Sequence, residues 1–424
     1  MNVLIIGNGA RESAFAWKIK QSPLCTQLFI ANGNAGTSQY GQNISLDANN
    51  HAAIVDFIST NDIHTVLIGP EAPLVDGLVD YLLKVFPKGV NIIGPSKVGA
   101  LLEGSKDFAK EFMLENNIPT ASYRTFQHHQ LKEGLEYIDA HKLPIVLKAD
   151  GLAAGKGVVI CENKEDAKAE FREMLDGKFG DASKKIVVEQ FLKGIEFSVF
   201  VITDGTEYQI LPMAKDYKRV GEGDTGANTG GMGAVSPVPF VDEQLMNKVE
   251  QKIIIPTIEG LKSRNIAYKG FIFFGLIKVD DEPFVIEYNC RMGDPETEVV
   301  IPRLNNDLLE LFSSLNEGRL KDCIIDESSM AAVTIVLASG GYPNDFQKGF
   351  AITGLDAATD KQIIFHASTQ LRDDAIVTNG GRVLALTSLA PSIKEALEKS
   401  NSLAKKVSFK NMYYRSDIGL DLLS

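Results

Sequence analysis

The segment Val285-Ile286-Glu287-Tyr288-Asn289-Cys290-Arg291-Met292-Gly293-Asp294-Pro295-Glu296 holds the densest set of reactive side chains in this chain of 424 residues. In an extended strand alternate side chains share a face, so Glu287 and Asn289 point the same way. A carboxylate and an amide oxygen on one face suit a hard cation, Mg²⁺ or Mn²⁺. Arg291 and Asp294 follow in a turn marked by Gly293 and Pro295. The guanidinium fork matches a carboxylate. A metal able to hold ATP phosphates beside a fork able to hold a carboxylate points to ATP-driven carboxylate activation. The neighbouring apolar run 270–279 offers no carboxylate, so a second ion would have to share Glu287.

Other glycine-marked segments fit that chemistry. Gly7-Asn8-Gly9-Ala10-Arg11-Glu12 lies between a strand and a helix, where backbone N–H groups bind anions. Dinucleotide binding would want glycine at position 12 and an acid at the end of the second strand, where Glu12 and Asn32 stand. A phosphate-bearing metabolite is the better expectation. Gly151-Leu152-Ala153-Ala154-Gly155-Lys156-Gly157 resembles a P-loop out of register, because Gly157 replaces the Ser or Thr that would hold Mg²⁺. We read it as a hairpin flap over phosphates, with Lys148 projecting from the preceding strand towards a nucleotide. Phe191 and Leu192 can wall an adenine slot after Glu189, and Glu196 can accept from ribose hydroxyls. Residues 215–236 read as a long functional loop rich in glycine, preceded by Lys215-Asp216-Tyr217-Lys218-Arg219.

These residues need a scaffold. At about 150 residues per domain the length predicts roughly three domains. Apolar content of 44% suffices for a large core, and a net charge of −12 argues against general nucleic-acid binding. Cys25, Cys161, Cys290 and Cys323 are scattered, which speaks against a zinc site or disulfide framework and fits a cytoplasmic chain. Cys290 reads as packing, and the six histidines show no metal-ligand spacing. No apolar run is long enough to span a membrane. Short apolar strands at 3–6, 28–31, 65–68 and 91–93, separated by helices, predict a parallel, doubly wound sheet with ligands at its carboxyl ends. A small α/β lobe is expected at about 120–195, with strands at 145–148, 158–161 and 186–190. The expected division is a Rossmann-like first domain over 1–103, a nucleotide domain over 104–327, and a mixed α/β lobe over 328–424.

The order of the pieces resembles the ATP-grasp superfamily and, more closely, the phosphoribosylamine–glycine ligase family. The carriers are I-G-N-G-A-R-E at 6–12, G-P-E-A-P-L at 69–74, L-E-G-S-K at 102–106, K-A-D-G-L-A-A-G-K-G at 148–157 and N-T-G-G-M-G-A at 228–234. I-E-Y-N-C-R-M-G-D-P-E-T at 286–297, G-G-Y-P at 340–343 and T-N-G-G-R-V-L at 378–384 complete them. Ala10, Ser13, Tyr217 and Ala227 stand where the family usually has glycine, histidine, histidine and proline.

The resemblance implies an ATP-grasp fold and ligation of glycine to 5-phosphoribosylamine through glycyl phosphate, with small-molecule substrates and no nucleic-acid or membrane partner. It implies Glu287 and Asn289 on the metal, and Lys106 and Lys148 on ATP phosphates beneath the flap with Gly155, Lys156 and Gly157. Glu189, Phe191, Leu192 and Glu196 would hold the nucleoside. Arg291, Asp294, Asp216 and Lys218 would act at glycine, with Asp216 and Asp294 as candidates for its ammonium. Asn8, Gly9, Asn34 and Glu71 would hold phosphoribosylamine. We expect a monomer, at most weakly dimerising. Another carboxylate–amine ligase of this superfamily and a non-catalytic nucleotide-binding protein are the alternatives.

Overall fold

The computed structural model describes residues 1–153 and 157–423. Gly155 and Lys156 of the expected flap lie outside the described residues.

Three sheets carry the chain. The first has five parallel strands in the order Gln42–Ile44, Gln27–Ala31, Asn2–Ile6, Ile63–Ile68, Asn91–Ile93. Runs such as Val3-Leu4-Ile5-Ile6 are buried on both faces, as a sheet covered by helices requires. The loops at 7–9, 32–34 and 69–71 gather at its carboxyl end. The edge strand Gln42–Ile44 was absent from the sequence reading; at three residues, two of them polar, it has no pattern to detect.

The second sheet is antiparallel, in the order Tyr123–Gln127, Lys185–Gln190, Ile145–Ala149, Val158–Cys161. The helices Leu131–Ala140 and Lys164–Leu175 close over it around Phe126 and Phe171, whose rings meet edge-on at 5.8 Å. Tyr123–Gln127 is the strand missing from the sequence expectation, because only Phe126 in it is buried.

The third sheet has nine strands. Its antiparallel path runs Glu282–Asn289, Gly270–Val279, Ile195–Thr203, Tyr208–Asp216, Gly233–Ser236, Ala331–Ser339, Arg382–Ala390, Gln362–His366. The metal-strand candidate forms one edge. C-terminal strands continue the same hydrogen-bonded surface at the other. This corrects the reading of 215–236 as one long loop. Gly233–Ser236 is a fully buried central strand, and Arg219–Gly221 pairs with Thr225–Asn228 in a ribbon. Glycine lowers strand propensity without removing the backbone groups that pair, so the sheet overrides composition here. Among the described residues no helix is long and apolar enough to cross a membrane.

The C-terminal strands also pack on the first domain. Ala10 and Ala14 of the helix Ala10–Ile19 meet Val336, Phe365 and Ala385, and Trp17 stands edge-on to Phe365 at 6.0 Å. Beside this contact runs the helix Thr297–Arg303, all of whose residues are buried. It includes Glu298, whose two carboxyl oxygens are buried with no hydrogen-bond partner among the described residues. Burial, reinforced by Asp294 and opposed by Arg382, pushes this carboxyl well above the ordinary range, which favours its protonated form in the fold. A raised folded-state pKa gives stability that is present in acid and lost as pH rises towards that pKa, by up to about 1.4 kcal/mol per pH unit. Glu298→Gln needs no such proton. Its melting temperature relative to the unsubstituted chain should therefore be higher at pH 8 than at pH 5. Melting curves at the two values check this, and a difference independent of pH would refute it.

Candidate active site

The strand Glu282–Asn289 pairs with Gly270–Val279, and their register shifts between Gly275 and Leu276. Glu287 faces Gly275 and Val285 faces Leu276, so Ile286 is the extra residue of a bulge. The bulge frees the Ile286 carbonyl, which accepts from Lys148 Nζ at 3.2 Å. Beyond it Glu287 and Asn289 share a face while Tyr288 turns into the core. Gly275 is small for a reason: a Cβ there would stand 3.0 Å from Glu287 Cγ.

Burial alone would raise the Glu287 carboxyl. Lys218, Lys148, Lys106 and Arg291 outweigh it and hold the group below its ordinary pKa. Asn289 is buried, with its side-chain amide nitrogen unpartnered. Amide oxygen and nitrogen are interchangeable by a flip, so this residue has a polar atom free for a ligand. Among the described residues no cluster of three or more His, Cys, Asp or Glu forms a metal cage. One ionised carboxylate and one amide oxygen fit a Mg²⁺ or Mn²⁺ ion that takes its remaining oxygens from phosphate and water.

The lysines come from two elements. Lys148 ends the small-lobe strand Ile145–Ala149, and its Nζ sits 2.9 Å from Glu189 Oε2. Lys106 begins the helix Lys106–Glu115 and reaches the Gly151 carbonyl at 3.1 Å. Burial lowers the pKa of Lys106. One turn later Lys110 stands 3.3 Å from Glu189 Oε1 and 2.8 Å from Thr120 Oγ1. Burial outweighs the attraction of Glu189 and brings Lys110 to about 8. The sequence reading missed Lys110, although its i,i+4 spacing from Lys106 put both on one helix face. Glu189 is thus buried between two ammonium groups. Phe191 and Leu192 follow it half-buried, and exposed Glu196 accepts from Lys218 Nζ at 3.0 Å. Gly157 closes the hairpin base, its carbonyl accepting from Ala149 N–H at 2.8 Å.

Arg291 is held from both sides. Its Nη2 donates to Glu103 Oε1 at 2.7 Å, its Nε lies 3.5 Å from Glu71 Oε2, and Nη1 reaches the Met292 carbonyl at 3.3 Å. Nε is buried without a hydrogen-bond partner. Burial would lower the Arg291 pKa, but Glu103 and Glu71 raise it, so the guanidinium is charged. Glu103 also accepts from Cys290 N–H at 2.8 Å and from its Sγ at 3.2 Å. Burial and Glu103 push that thiol far up, which leaves it inert. Glu103 lies within the quoted L-E-G-S-K run, yet only the fold reveals its partner.

At the first loop, Glu12 turns back so that Oε2 accepts from Gly9 N–H at 2.7 Å, and Arg11 Nε donates to its Oε1 at 2.7 Å. Asp294 Oδ2 accepts from Arg11 N–H at 3.3 Å. The helix start expected to bind an anion therefore has two of its donors engaged by carboxylates. Asn34 is buried; its Nδ2 donates to the Asn8 carbonyl at 2.9 Å and to the His366 carbonyl at 2.6 Å. Burial raises the Asp216 carboxyl while Lys218 draws it down. Burial would lower Lys218, but Asp216, Glu196 and Glu287 hold it far above the ordinary value. Tyr217, between them in sequence, points away and donates to Asp421 Oδ1 at 2.5 Å.

Two site groups emerge. Glu287, Lys106, Lys148, Lys218, Arg291 and Asp216 share one electrostatic cluster, and Asn8, Gly9, Asn34 and Asp294 line the junction with the C-terminal strands.

Comparisons with known proteins bear on this arrangement. Residues 1–103 match the N domain of phosphoribosylglycinamide synthetase, residues 104–297 its ATP-grasp (A) domain, and residues 332–421 its C domain. The chain is 43% identical over 423 residues to phosphoribosylamine–glycine ligase of Pasteurella multocida, covering 99% of this chain and 97% of that one. It is 44% identical to the ligase of that name from Escherichia coli O6:H1, covering 99% and 98%. The crystal structure of phosphoribosylamine–glycine ligase from Thermotoga maritima superposes with a TM-score of 0.86 at 33% identity, covering 99% of this chain and 100% of that one. With its cation-ringed Glu287 strand set in that fold, this chain belongs to the phosphoribosylamine–glycine ligase family of ATP-grasp enzymes.

Proposed function

We propose that the chain joins glycine to 5-phosphoribosylamine, converting ATP to ADP and phosphate and giving glycinamide ribonucleotide by way of glycyl phosphate. The observation that carries this reading is the convergence of Lys106, Lys148, Lys218 and Arg291 on one ionised carboxylate, Glu287. A glycine carboxylate oxygen takes the γ-phosphoryl group and ADP leaves. The amine of phosphoribosylamine then attacks the acyl carbon, loses a proton, and phosphate departs. Neither step requires a covalent bond to the protein, so positioning and charge neutralisation carry the catalysis.

Lys106 and Lys148 hold phosphates, and the hairpin with Gly155, Lys156 and Gly157 covers them and excludes water from the acyl phosphate. Phe191 and Leu192 wall the adenine, with Glu196 towards the ribose and Glu189 holding Lys148 in place from behind. Glu287 and Asn289 hold Mg²⁺ or Mn²⁺, which when bound neutralises phosphate charge. Arg291 takes the glycine carboxylate with its guanidinium fork, Glu103 and Glu71 holding the group in place. Asp216, with Lys218, is better placed for the ammonium than Asp294, whose two oxygens already face Arg11 and Arg382. Asn8, Gly9, Asn34 and Glu71 border phosphoribosylamine. The division at 103/104 and 327/328 and a monomeric state in the cytoplasm belong to the same proposal.

The direct test follows ADP release and product mass with ATP, Mg²⁺ and glycine, with and without freshly made phosphoribosylamine. ADP formed in step with glycinamide ribonucleotide supports the reading; turnover only with another carboxylate or amine refutes it. Glu287→Gln should cut turnover by about a hundredfold or more in a chain that still folds, since the charge that holds the metal is lost, and should lower the melting temperature, because the surrounding cations lose the carboxylate they converge on. Near-normal turnover at ordinary Mg²⁺ would remove Glu287 from the metal. Arg291→Lys should raise the KM for glycine about tenfold while leaving that for ATP nearly constant, because lysine lacks the fork. A rise confined to ATP would move Arg291 to the phosphates.

A further inference from the structure

Two C-terminal motifs, G-G-Y-P and T-N-G-G-R-V-L, have no part in the chemistry above, yet both reach into the site. Arg382 starts the strand Arg382–Ala390 and is half-buried. Its Nη2 sits 2.9 Å from Asp294 Oδ1. Its Nη1 donates to the Asp294 carbonyl at 2.8 Å and to the Gly230 carbonyl at 2.7 Å. Tyr342 Oη accepts from Gly230 N–H at 3.0 Å. The C-terminal strands thus grip both backbone polar groups of one residue, Gly230, in the segment 228–234, and the turn that carries Asp294.

The grip continues into the first domain. The other Asp294 oxygen accepts from Arg11 N–H, and a Cβ on Gly9 would stand 3.2 Å from it. A second tie runs in parallel: Asn34 Nδ2 spans the Asn8 carbonyl and the His366 carbonyl. No hydrogen bond or ion pair of Arg382 or Tyr342 leads to Lys106, Lys148 or Glu189 among the described residues. The connection is to the side of the site where phosphoribosylamine is placed.

We propose that Arg382, assisted by Tyr342, is the positioning residue of the amine-acceptor half-site, locking the glycine-rich segment and the first loop to each other through Asp294. This rests on the reading of 5-phosphoribosylamine as the acceptor. Asp294 then works as the middle of a bridge, its carboxylate set between the Arg382 guanidinium and the N-terminus of the first helix. Gly230 is small where its backbone is gripped: a Cβ there would stand 3.0 Å from the Arg382 guanidinium carbon.

The test uses the full chain with Arg382→Met and Tyr342→Phe. Amide hydrogen exchange of the peptide spanning 226–234, without ligands, should speed up about tenfold in Arg382→Met, as loss of charge-assisted hydrogen bonds predicts. The KM for phosphoribosylamine should rise about tenfold, and that for ATP should change less than about twofold. Tyr342→Phe should produce the same pattern at smaller size and keeps the test open if Arg382→Met fails to fold. Unchanged exchange in folded variants overturns the proposal whatever the activity. Faster exchange with equal KM rises for ATP and phosphoribosylamine overturns the assignment to the acceptor half. An unsubstituted enzyme that makes no glycinamide ribonucleotide refutes the ligase reading instead, and the exchange result still decides the grip.

Discussion

The structure depends on how charge is held around one sheet edge. Lys106, Lys148, Lys218 and Arg291 are brought towards Glu287 in a region of low effective dielectric, where like charges repel strongly. The fold makes this tolerable by giving three of these cations further carboxylate partners: Glu189, shared with Lys110, for Lys148, Glu196 for Lys218, Glu103 and Glu71 for Arg291. Each carboxylate offsets part of the charge beside it and fixes its partner's rotamer before any ligand arrives. Ordering of these long side chains is thereby met on folding and not on binding, which is the physical content of preorganisation. Lys106, whose amine among the described residues bonds only to carbonyls, is the exception; its pKa falls, and an incoming phosphate would restore it.

That constraint explains otherwise unrelated features of the scaffold. The bulge at Ile286 supplies a carbonyl that steers Lys148, Gly275 leaves room for Glu287 to lie along the strand, and the helix bearing Glu103 reaches across to meet Arg291. None of these devices stabilises the sheet. A bulge interrupts a ladder and a glycine weakens a strand. They appear together where the chain aims side chains at a ligand and are outweighed by the uninterrupted core of Phe274, Leu276, Val285 and Tyr288 behind them.

Local chemistry was legible in the sequence, and long-range partnership was not. Period-two placement of Glu287 and Asn289, the glycine turns at strand ends, and apolar runs such as Val3-Leu4-Ile5-Ile6 are written within a few residues of each other. Glu103, Lys110, Arg382 and Glu298 carry no such local mark. Glu103 acquires meaning from Arg291, 188 positions away, and Arg382 from Asp294, 88 positions away. Gly233–Ser236 escaped for another reason: its neighbours in the sheet, not its own side chains, make it a strand. Glu189 shows the opposite limit, since its type suggested a nucleoside contact while the fold surrounds it with two lysines.

Sheet continuity also decides where motion can reside. Gly233–Ser236 is hydrogen-bonded to Tyr208–Asp216 on one side and to Ala331–Ser339 on the other. The glycine-rich segment is therefore anchored at its end in the middle of a nine-stranded sheet, and a wide swing would break ladder bonds in the core. The small lobe is different. Its apolar core is a cluster of its own around Phe126, Leu147 and Phe171. It meets the rest largely through polar contacts: Lys148 to the Ile286 carbonyl, Lys106 to the Gly151 carbonyl, and Asp150 Oδ1 to Ser105 Oγ and Asp107 N–H. Polar contacts at a lobe boundary can be exchanged for contacts to phosphate with little change in burial, whereas a shared apolar core cannot be parted at that cost. The boundary that can part without exposing a shared apolar core is therefore that of the small lobe, whereas the glycine-rich segment is tied at its end into the ladder of the large sheet.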